Sequence, residues 1–140
     1  MRIDLVTVIV DDYDAAIAFY TRLLGFELIE DSPSLTDDGR PKRWVVVRPP
    51  GDAGGTGLLL ALADGEQQAA GVGDQFAGRV GLFLRVDDFE ATYERMRALG
   101  VEFAETPRHE DYGSVVVFRD VAGNLWDLLG PPPVDTDASH

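Results

Sequence analysis

The chain repeats its own pattern about 75 residues further along, and this duplication constrains the fold more than any other feature. Val10-Asp11-Asp12 recurs as Val86-Asp87-Asp88, and Gly25-Phe26-Glu27 recurs as Gly100-Val101-Glu102. The offset is 76 residues at the first pair and 75 at the second, so the second intervening segment is one residue shorter. A chain of 140 residues with a repeat of this size is expected to fold as two similar modules.

Each repeat begins with a strand that is followed by a helix. Residues 3–10 are β-branched or apolar at nearly every position, which is typical of a strand covered on both faces, and residues 80–86 are similar. Aspartates precede both helices. We expect Asp11 and Asp87 to be the N-caps, because a carboxylate accepts hydrogen bonds from the first free N–H groups of a helix. The glycines of the repeat end the two helices.

Further strand patterns follow each helix. Short alternating or apolar runs, separated by turns rich in glycine, proline and aspartate, indicate them. The predicted strands are 26–30, 44–48 and 58–62 in the first half, and 101–104, 114–119 and 125–129 in the second. Each half therefore has the order β-α-β-β-β. The predicted fold class is α+β, with two paired modules in one chain.

The module boundaries follow from these patterns. Residues 1–62 form the first module and residues 79–130 the second, within a single domain. The glycine-rich stretch 63–78 is interpreted as a connector that contains a short helical turn. Residues 131–140 are too polar and proline-rich for a regular element, so they are predicted to form a flexible tail.

The composition excludes several classes of function. Twelve basic and 25 acidic side chains give a formal charge of −13, which repels phosphate backbones, so we expect no nucleic-acid partner. No stretch reaches the roughly 20 apolar residues that span a bilayer, and no signal-peptide pattern is present. The absence of cysteine excludes disulfides and thiolate metal sites. The sequence predicts a soluble, cytoplasmic protein without a membrane partner.

Three short motifs accompany the two modules: Phe19-Tyr20 and Leu24-Gly25-Phe26 in the first, and Gly123-Asn124-Leu125 before the last strand of the second. Together they resemble the vicinal oxygen chelate superfamily, the family of glyoxalase I, extradiol dioxygenases and bleomycin-resistance proteins. The resemblance covers residues 1–130. It implies two modules whose curved sheets surround a central cavity.

The resemblance also implies where metal ligands would stand. Metal enzymes of the family carry a histidine on the first strand of a module, and those positions fall on Leu5 and Gly81. The ligand on the fourth strand of the first module would be glutamate or glutamine, and the position falls on Ala61, or on Leu60 if the register slips by one. The family's glutamate on the last strand falls on Asp127. One carboxylate does not make a zinc or iron site, so the sequence predicts no metal and no other cofactor.

Five residues are candidates for contacting a ligand in the implied cavity. Asp127 stands at the centre of the last strand, and burial would raise its pKa unless Arg85 or another donor compensates. Strand alternation directs Thr7, Phe83 and Arg85 towards the cavity. Trp44 is the first residue of the third predicted strand and could form part of the cavity wall. Each residue also has a structural interpretation: a satisfied hydroxyl for Thr7, a core aromatic for Phe83 and Trp44, and an ion pair or hydrogen bond for Arg85 and Asp127.

These residues support one preferred function and one alternative. The preferred function is metal-independent binding, or sequestration, of a small organic molecule in the manner of a bleomycin-resistance protein. The acidic charge leaves a cationic ligand as one candidate. The alternative is a glyoxalase-like lyase or isomerase, or a dioxygenase-type enzyme, with Asp127 or His109 as the catalytic base. His109 lies in a polar segment between two strands, where a solvated side chain is the other interpretation. A homodimer is expected, because symmetric dimers are the commonest assembly.

Overall fold

A computed structural model describes residues 1–51 and 55–133 of the chain. The elements of the first half are β1 (Leu5–Val10), α1 (Tyr13–Ala18), β2 (Glu27–Leu35), β3 (Pro41–Arg48), β4 (Gly57–Leu62) and α2 (Glu66–Gly71). Those of the second half are β5 (Val80–Arg85), α3 (Phe89–Ala98), β6 (Arg108–Glu110), β7 (Gly113–Arg119) and β8 (Leu125–Gly130). The predicted tail lies outside the described residues from position 134 onward.

The predicted α+β fold class is confirmed, since each half builds a four-stranded mixed sheet. The strand order is β1-β4-β3-β2 in the first sheet and β5-β8-β7-β6 in the second. In both sheets the first and last strands of the module pair in parallel, and the remaining pairs are antiparallel. The chain forms two compact units, Met1–Ala77 with Val121–Asn124, and Gly78–Asp120 with the chain from Leu125 onward.

The predicted strand over residues 101–104 is confirmed only in part. Its residues pair with β7 through the antiparallel bridge between Phe103 and Phe118. Two backbone hydrogen bonds flank this bridge, from the N–H of Ala104 to the carbonyl of Val117 and from the N–H of Arg119 to the carbonyl of Glu102. The longer part of this edge is β6, which pairs with β7 in the segment interpreted from sequence as a polar connection. The ring of Phe103 also packs 4.8 Å from that of Tyr93 on α3, so the apolar character of the segment serves the helix contact as well as the sheet.

The N-caps are one residue later than predicted in both repeats. Asp12 caps α1 by accepting a hydrogen bond from the N–H of Ala15 at 2.8 Å, and Asp88 caps α3 by accepting from the N–H of Ala91 at 3.1 Å. The predicted caps, Asp11 and Asp87, were wrong because adjacent aspartates give the same sequence signal. The first helix also changes character, since α1 continues as one π-helical turn over Phe19–Leu23.

Each sheet buries the face that its helix covers. On the face of the first sheet that α1 covers, the buried strand residues are Val8, Val10, Val45, Val47, Leu58 and Leu60, and those of α1 and the following turn are Ala16, Phe19, Tyr20 and Leu24. Val46 is also buried, on the other face. Phe19 and Tyr20 both lie in the core, with their rings 5.2 Å apart edge to face. In the second sheet Trp126 is buried, stacks on Phe118 at 5.6 Å and donates from Nε1 to Asp120.

Within the described ranges, no helix is long and apolar enough to cross a membrane.

The contact between α3 and β8 depends on a residue without a side chain. A Cβ atom added to Gly130 would lie 2.6 Å from the Cβ of Phe89, closer than real Cβ atoms approach. We therefore expect Gly130→Ala to lower the free energy of unfolding by about 1–3 kcal/mol, because overpacking forces the helix away from the sheet.

The matched control is Gly71→Ala at the end of α2. Its Cβ would meet Ile9 at 3.8 Å, an ordinary contact, so stability should be unchanged or slightly raised. Urea unfolding of both variants measures the difference. Equal midpoints for Gly130→Ala and the wild type would contradict this packing.

Candidate functional site

Strand alternation leaves each sheet with an open face, defined here as the face turned away from α1 or α3. In the first sheet Thr7 lies opposite Leu59, and Leu59 lies opposite Val46. Trp44 is two residues from Val46 on β3, so its side chain belongs to the same face. Thr7 is exposed and Trp44 keeps 37% of its surface accessible. The first module thus brings two of the sequence candidates, Thr7 and Trp44, to one face.

A cavity of about 310 Å³ lies at one end of this sheet, within the first compact unit. Its apolar wall includes Trp44, Leu59 and Ala61. The start of β3, the turn that precedes it and the residues that follow β4 complete the cavity with polar and charged residues, among them Arg40, Lys42, Asp64 and Gln68. An aromatic wall beside polar groups can hold a small molecule by stacking and by hydrogen bonds.

An ion-pair network fixes the polar side of the cavity. Arg40 lies 2.8 Å from Asp64 and 3.0 Å from Asp38, which ties the β2–β3 turn to the segment after β4. Arg40 donates hydrogen bonds to these two carboxylates, and these bonds, that to Asp64 first, raise the pKa of Arg40 above its ordinary value. Gln68 then accepts a hydrogen bond from the backbone N–H of Asp64 at 2.9 Å. Sequence analysis missed these residues, because turns and connectors carry no periodic pattern.

The open face of the second sheet brings together three other candidates. Phe83 lies opposite Asp127 in the parallel β5–β8 pair, and Arg85 is two residues further along the same face. Phe83 exposes 62% of its surface, an unusual degree for an aromatic on a sheet. The second module therefore presents an aromatic, a guanidinium and a carboxylate on one face.

Burial raises the pKa of Asp127, as the sequence predicted. The cation that compensates in part is another donor, Arg108, and not Arg85. The charge of Arg108 lowers the pKa of Asp127, whereas the charge of Glu105 raises it further. Arg108 and Glu105 are themselves paired at 3.1 Å, and Glu105 also accepts a hydrogen bond from the N–H of Val117 at 3.2 Å. Nothing in the sequence marked Arg108, because β6 was not recognised as a strand.

His109 occupies the other face of the second sheet. Its Nδ1 lies 2.9 Å from Oγ of the buried Ser114, and its ring meets the ring of Phe89 on α3 edge to face. Its Nε2 lies 3.8 Å from the carboxylate of Glu90. Because His109 pairs with Ser114 whereas Asp127 pairs with Val117, alternation directs the two candidate bases to opposite faces. The fold does not bring them together.

The donor atoms at the positions of the family's metal ligands do not fit a metal centre. The strand registers place Leu59 at the position equivalent to Asp127, because Thr7 pairs with Leu59 as Phe83 pairs with Asp127. Alignment of glycines had suggested Ala61 or Leu60, and it was wrong because the glycines stand at different distances from the paired residues.

Leu59 has no donor atom in its side chain, and neither do Leu5 and Gly81. Over residues 1–51 and 55–133, no three His, Cys, Asp or Glu side chains group in a way that could hold a metal ion.

Comparison with known proteins gives consistent matches over most of the chain. The family model described as "Glyoxalase/Bleomycin resistance protein/Dioxygenase superfamily" matches residues 2–128. An uncharacterized protein of Shewanella frigidimarina (strain NCIMB 400) is 50% identical over 124 residues, which are 89% of each chain.

Two solved structures are also similar. The crystal structure of UcmS2 is 36% identical with a TM-score of 0.75, and the match covers 92% of this chain and 97% of that one. TnmS3, an antibiotic binding protein from Streptomyces sp. CB03234, is 30% identical with a TM-score of 0.72, and the match covers 94% and 96% of the two chains.

The raised pKa of Asp127 predicts how the free energy of unfolding depends on pH. The folded protein holds this proton more tightly than the unfolded chain, so stability falls as pH rises from the ordinary value of 3.8 through the folded pKa. At neutral pH the ionised carboxylate is penalised, and we expect Asp127→Asn to melt at a higher temperature than the wild type. The gain should vanish below the ordinary pKa. Thermal unfolding across the acid range measures it.

Glu27→Gln is the control, since it removes the same charge from an exposed strand position of an acidic chain. A gain that is equal in both variants, or that does not depend on pH, would mean that general charge repulsion is responsible instead of burial.

Proposed function

Because the chain belongs to the glyoxalase/bleomycin resistance protein/dioxygenase superfamily, we propose that it performs this family's binding role: it takes up a small organic molecule reversibly and without a metal. The observation that carries the proposal is the cavity of about 310 Å³ in the first module. Its volume is at the lower end of the range for small-molecule sites.

The lining favours an organic ligand with a flat apolar surface. Trp44 offers an aromatic face for stacking, and Leu59 and Ala61 extend the apolar wall beside it. Thr7 adds a hydroxyl on the same face of the sheet, as a polar contact. The network around Arg40 is formed within the protein, so the cavity needs little rearrangement when a ligand enters.

A relative supports sequestration as the biological outcome. TnmS3, at 30% identity over nearly the whole chain, is described as an antibiotic binding protein. Binding of that kind requires a preformed cavity and no catalytic group, which agrees with the positions of Leu5, Leu59 and Gly81. We therefore propose that the ligand leaves this protein chemically unchanged.

The open face of the second sheet is a second ligand-contacting surface in this proposal. Phe83 supplies an exposed aromatic for stacking, and Arg85 and Asp127 supply opposite charges for orientation. The expected homodimer stays a prediction, and a sedimentation measurement at micromolar concentration decides between the dimer and a monomer.

The competing function is a glyoxalase-like lyase or isomerase, or a dioxygenase-type enzyme. One observation favours it: the raised pKa of Asp127 makes this carboxylate a better proton acceptor at the centre of an open face. His109 lies on the opposite face, so Asp127 would act without it.

The proposal is tested by a thermal-shift screen of polycyclic aromatic antibiotics, catechols, glutathione adducts and divalent metals. We expect an aromatic compound to raise the melting temperature and to be recovered unchanged, as judged by mass spectrometry. Trp44→Leu should weaken its binding about tenfold or more, about 1.4 kcal/mol, because the stacking surface is lost.

Tyr112→Leu is the matched control, because it removes an exposed aromatic that the proposal does not use, and it should leave binding unchanged. Phe83→Leu removes the exposed aromatic of the other sheet and tests the second surface. Comparison of this variant with Trp44→Leu shows whether the ligand binds in the cavity of the first module or on the second surface. Stoichiometric metal in the purified protein, turnover of a compound, or the absence of any stabilising organic compound would each argue against reversible binding.

A further inference from the structure

The cavity contains the only lysine of the chain. Lys42 lies on β3 two residues before Trp44, and both side chains line the cavity. Residues i and i+2 of a strand point to the same face about 7 Å apart. An ammonium group and an indole ring thus stand side by side along one strand.

No carboxylate in the described part of the chain pairs with the exposed ammonium group of Lys42. Its neighbours Arg40 and Arg43 each hold two carboxylates: Asp38 and Asp64 for the first, Asp14 and Asp31 for the second. Among residues 1–51 and 55–133 no such ion pair or hydrogen bond reaches the side chain of Lys42, which lies opposite Ser34 in the β2–β3 pair. This is notable in a chain with 25 acidic and 12 basic side chains.

A second hydrogen-bond donor remains at the cavity. The Oε1 atom of Gln68 is occupied by the backbone N–H of Asp64, which leaves the amide Nε2 of Gln68 as a donor without a partner in the described part of the chain. Asp37 also lines the cavity, but it forms no ion pair with Lys42 there. The unoccupied donors therefore favour an acceptor, and Lys42 favours an acceptor with negative charge.

We infer that the cavity selects a planar aromatic ligand bearing an anionic group, a carboxylate or a phenolate, with its ring on Trp44 and its charge on Lys42. This rests on the proposed binding function and specifies its ligand class. It also argues against the cationic ligand suggested by net charge, because the local arrangement of charges within hydrogen-bonding reach outweighs a distant, salt-screened excess.

Three probes of the same shape test this inference: 2-naphthoate, neutral 2-naphthamide and cationic 2-naphthamidine. Their affinities are measured by calorimetry, with quenching of the fluorescence of the two tryptophans, Trp44 and Trp126, as a second signal. We expect the naphthoate to bind about tenfold more tightly than the amide, as a charge-assisted hydrogen bond would give, and the amidine to bind most weakly.

Variants of Lys42 locate the source of this preference. Lys42→Met keeps the aliphatic stem and should bring the naphthoate and the amide to equal affinity, whereas Lys42→Arg should keep the preference for the anion. Arg95→Gln is the control, since it removes an exposed cation from α3.

Tighter binding of the amide or the amidine to the wild type overturns the inference but leaves the binding function intact. Failure of all three probes, together with failure of the wider screen, defeats the binding function itself.

Because the chain has a single lysine, chemical acylation can show whether the ligand lies beside Lys42. An N-hydroxysuccinimide acetate reagent acylates Lys42 and the α-amino group of the chain. Saturating 2-naphthoate should slow acylation of Lys42 at least severalfold and leave the α-amino group unaffected, as measured by peptide mass spectrometry. Equal rates at Lys42 with and without naphthoate would show that the anion does not lie beside this residue.

Discussion

The parallel pairing of the first and last strands of each module is the constraint on which the rest of the structure depends. β1 pairs with β4, and β5 pairs with β8, so the last strand of each module's sheet-forming chain lies beside its first strand. The register of these pairs decides which side chains turn towards the helix and which remain on the open face. It opposes Thr7 to Leu59 and Phe83 to Asp127, and these four positions set the chemical character of the two open faces.

The same register bears on the proposed binding of an organic molecule. At equivalent positions the two sheets carry Leu59 and Asp127, so Asp127 has no counterpart in the first module that could serve as a second metal ligand. The space beside β4 is lined by Leu59, Ala61 and Trp44 together with polar and charged side chains. Under the proposed function, aromatic stacking and hydrogen bonds from these groups select the ligand.

Much of the fold follows from the sequence, because its signals are periodic and occur twice. Burial of Val8 and Val10 on one face of β1 and of Tyr20 in the core agrees with the spacing of apolar residues. The exact ends of the helices and strands were harder to predict from the sequence. Neighbouring aspartates gave N-caps one residue too early. The apolar segment around Phe103 pairs with β7 as predicted, but the sequence did not show that this edge continues into the polar residues of β6.

The residues of the candidate site could be predicted from the sequence only in part, for a physical reason. Trp44 could be named because strand patterns mark its position, and the structure places it in the cavity wall. Arg40, Asp64 and Gln68 belong to a turn, a connector and a short helix, and they meet only after the chain has folded. Lys42 was overlooked for a different reason: one unpaired cation is informative only when the partners of its neighbours are known.

The central claim is that a ligand enters the cavity of the first module, and the two tryptophans allow the most direct test. The indole N–H groups of Trp44, in the cavity wall, and of Trp126, buried against Asp120, give separate signals in a ¹H–¹⁵N NMR spectrum. Titration with 2-naphthoate should move the Trp44 signal in proportion to saturation and leave that of Trp126 in place. A bound ligand, established by calorimetry, that leaves the Trp44 signal unmoved would contradict the account.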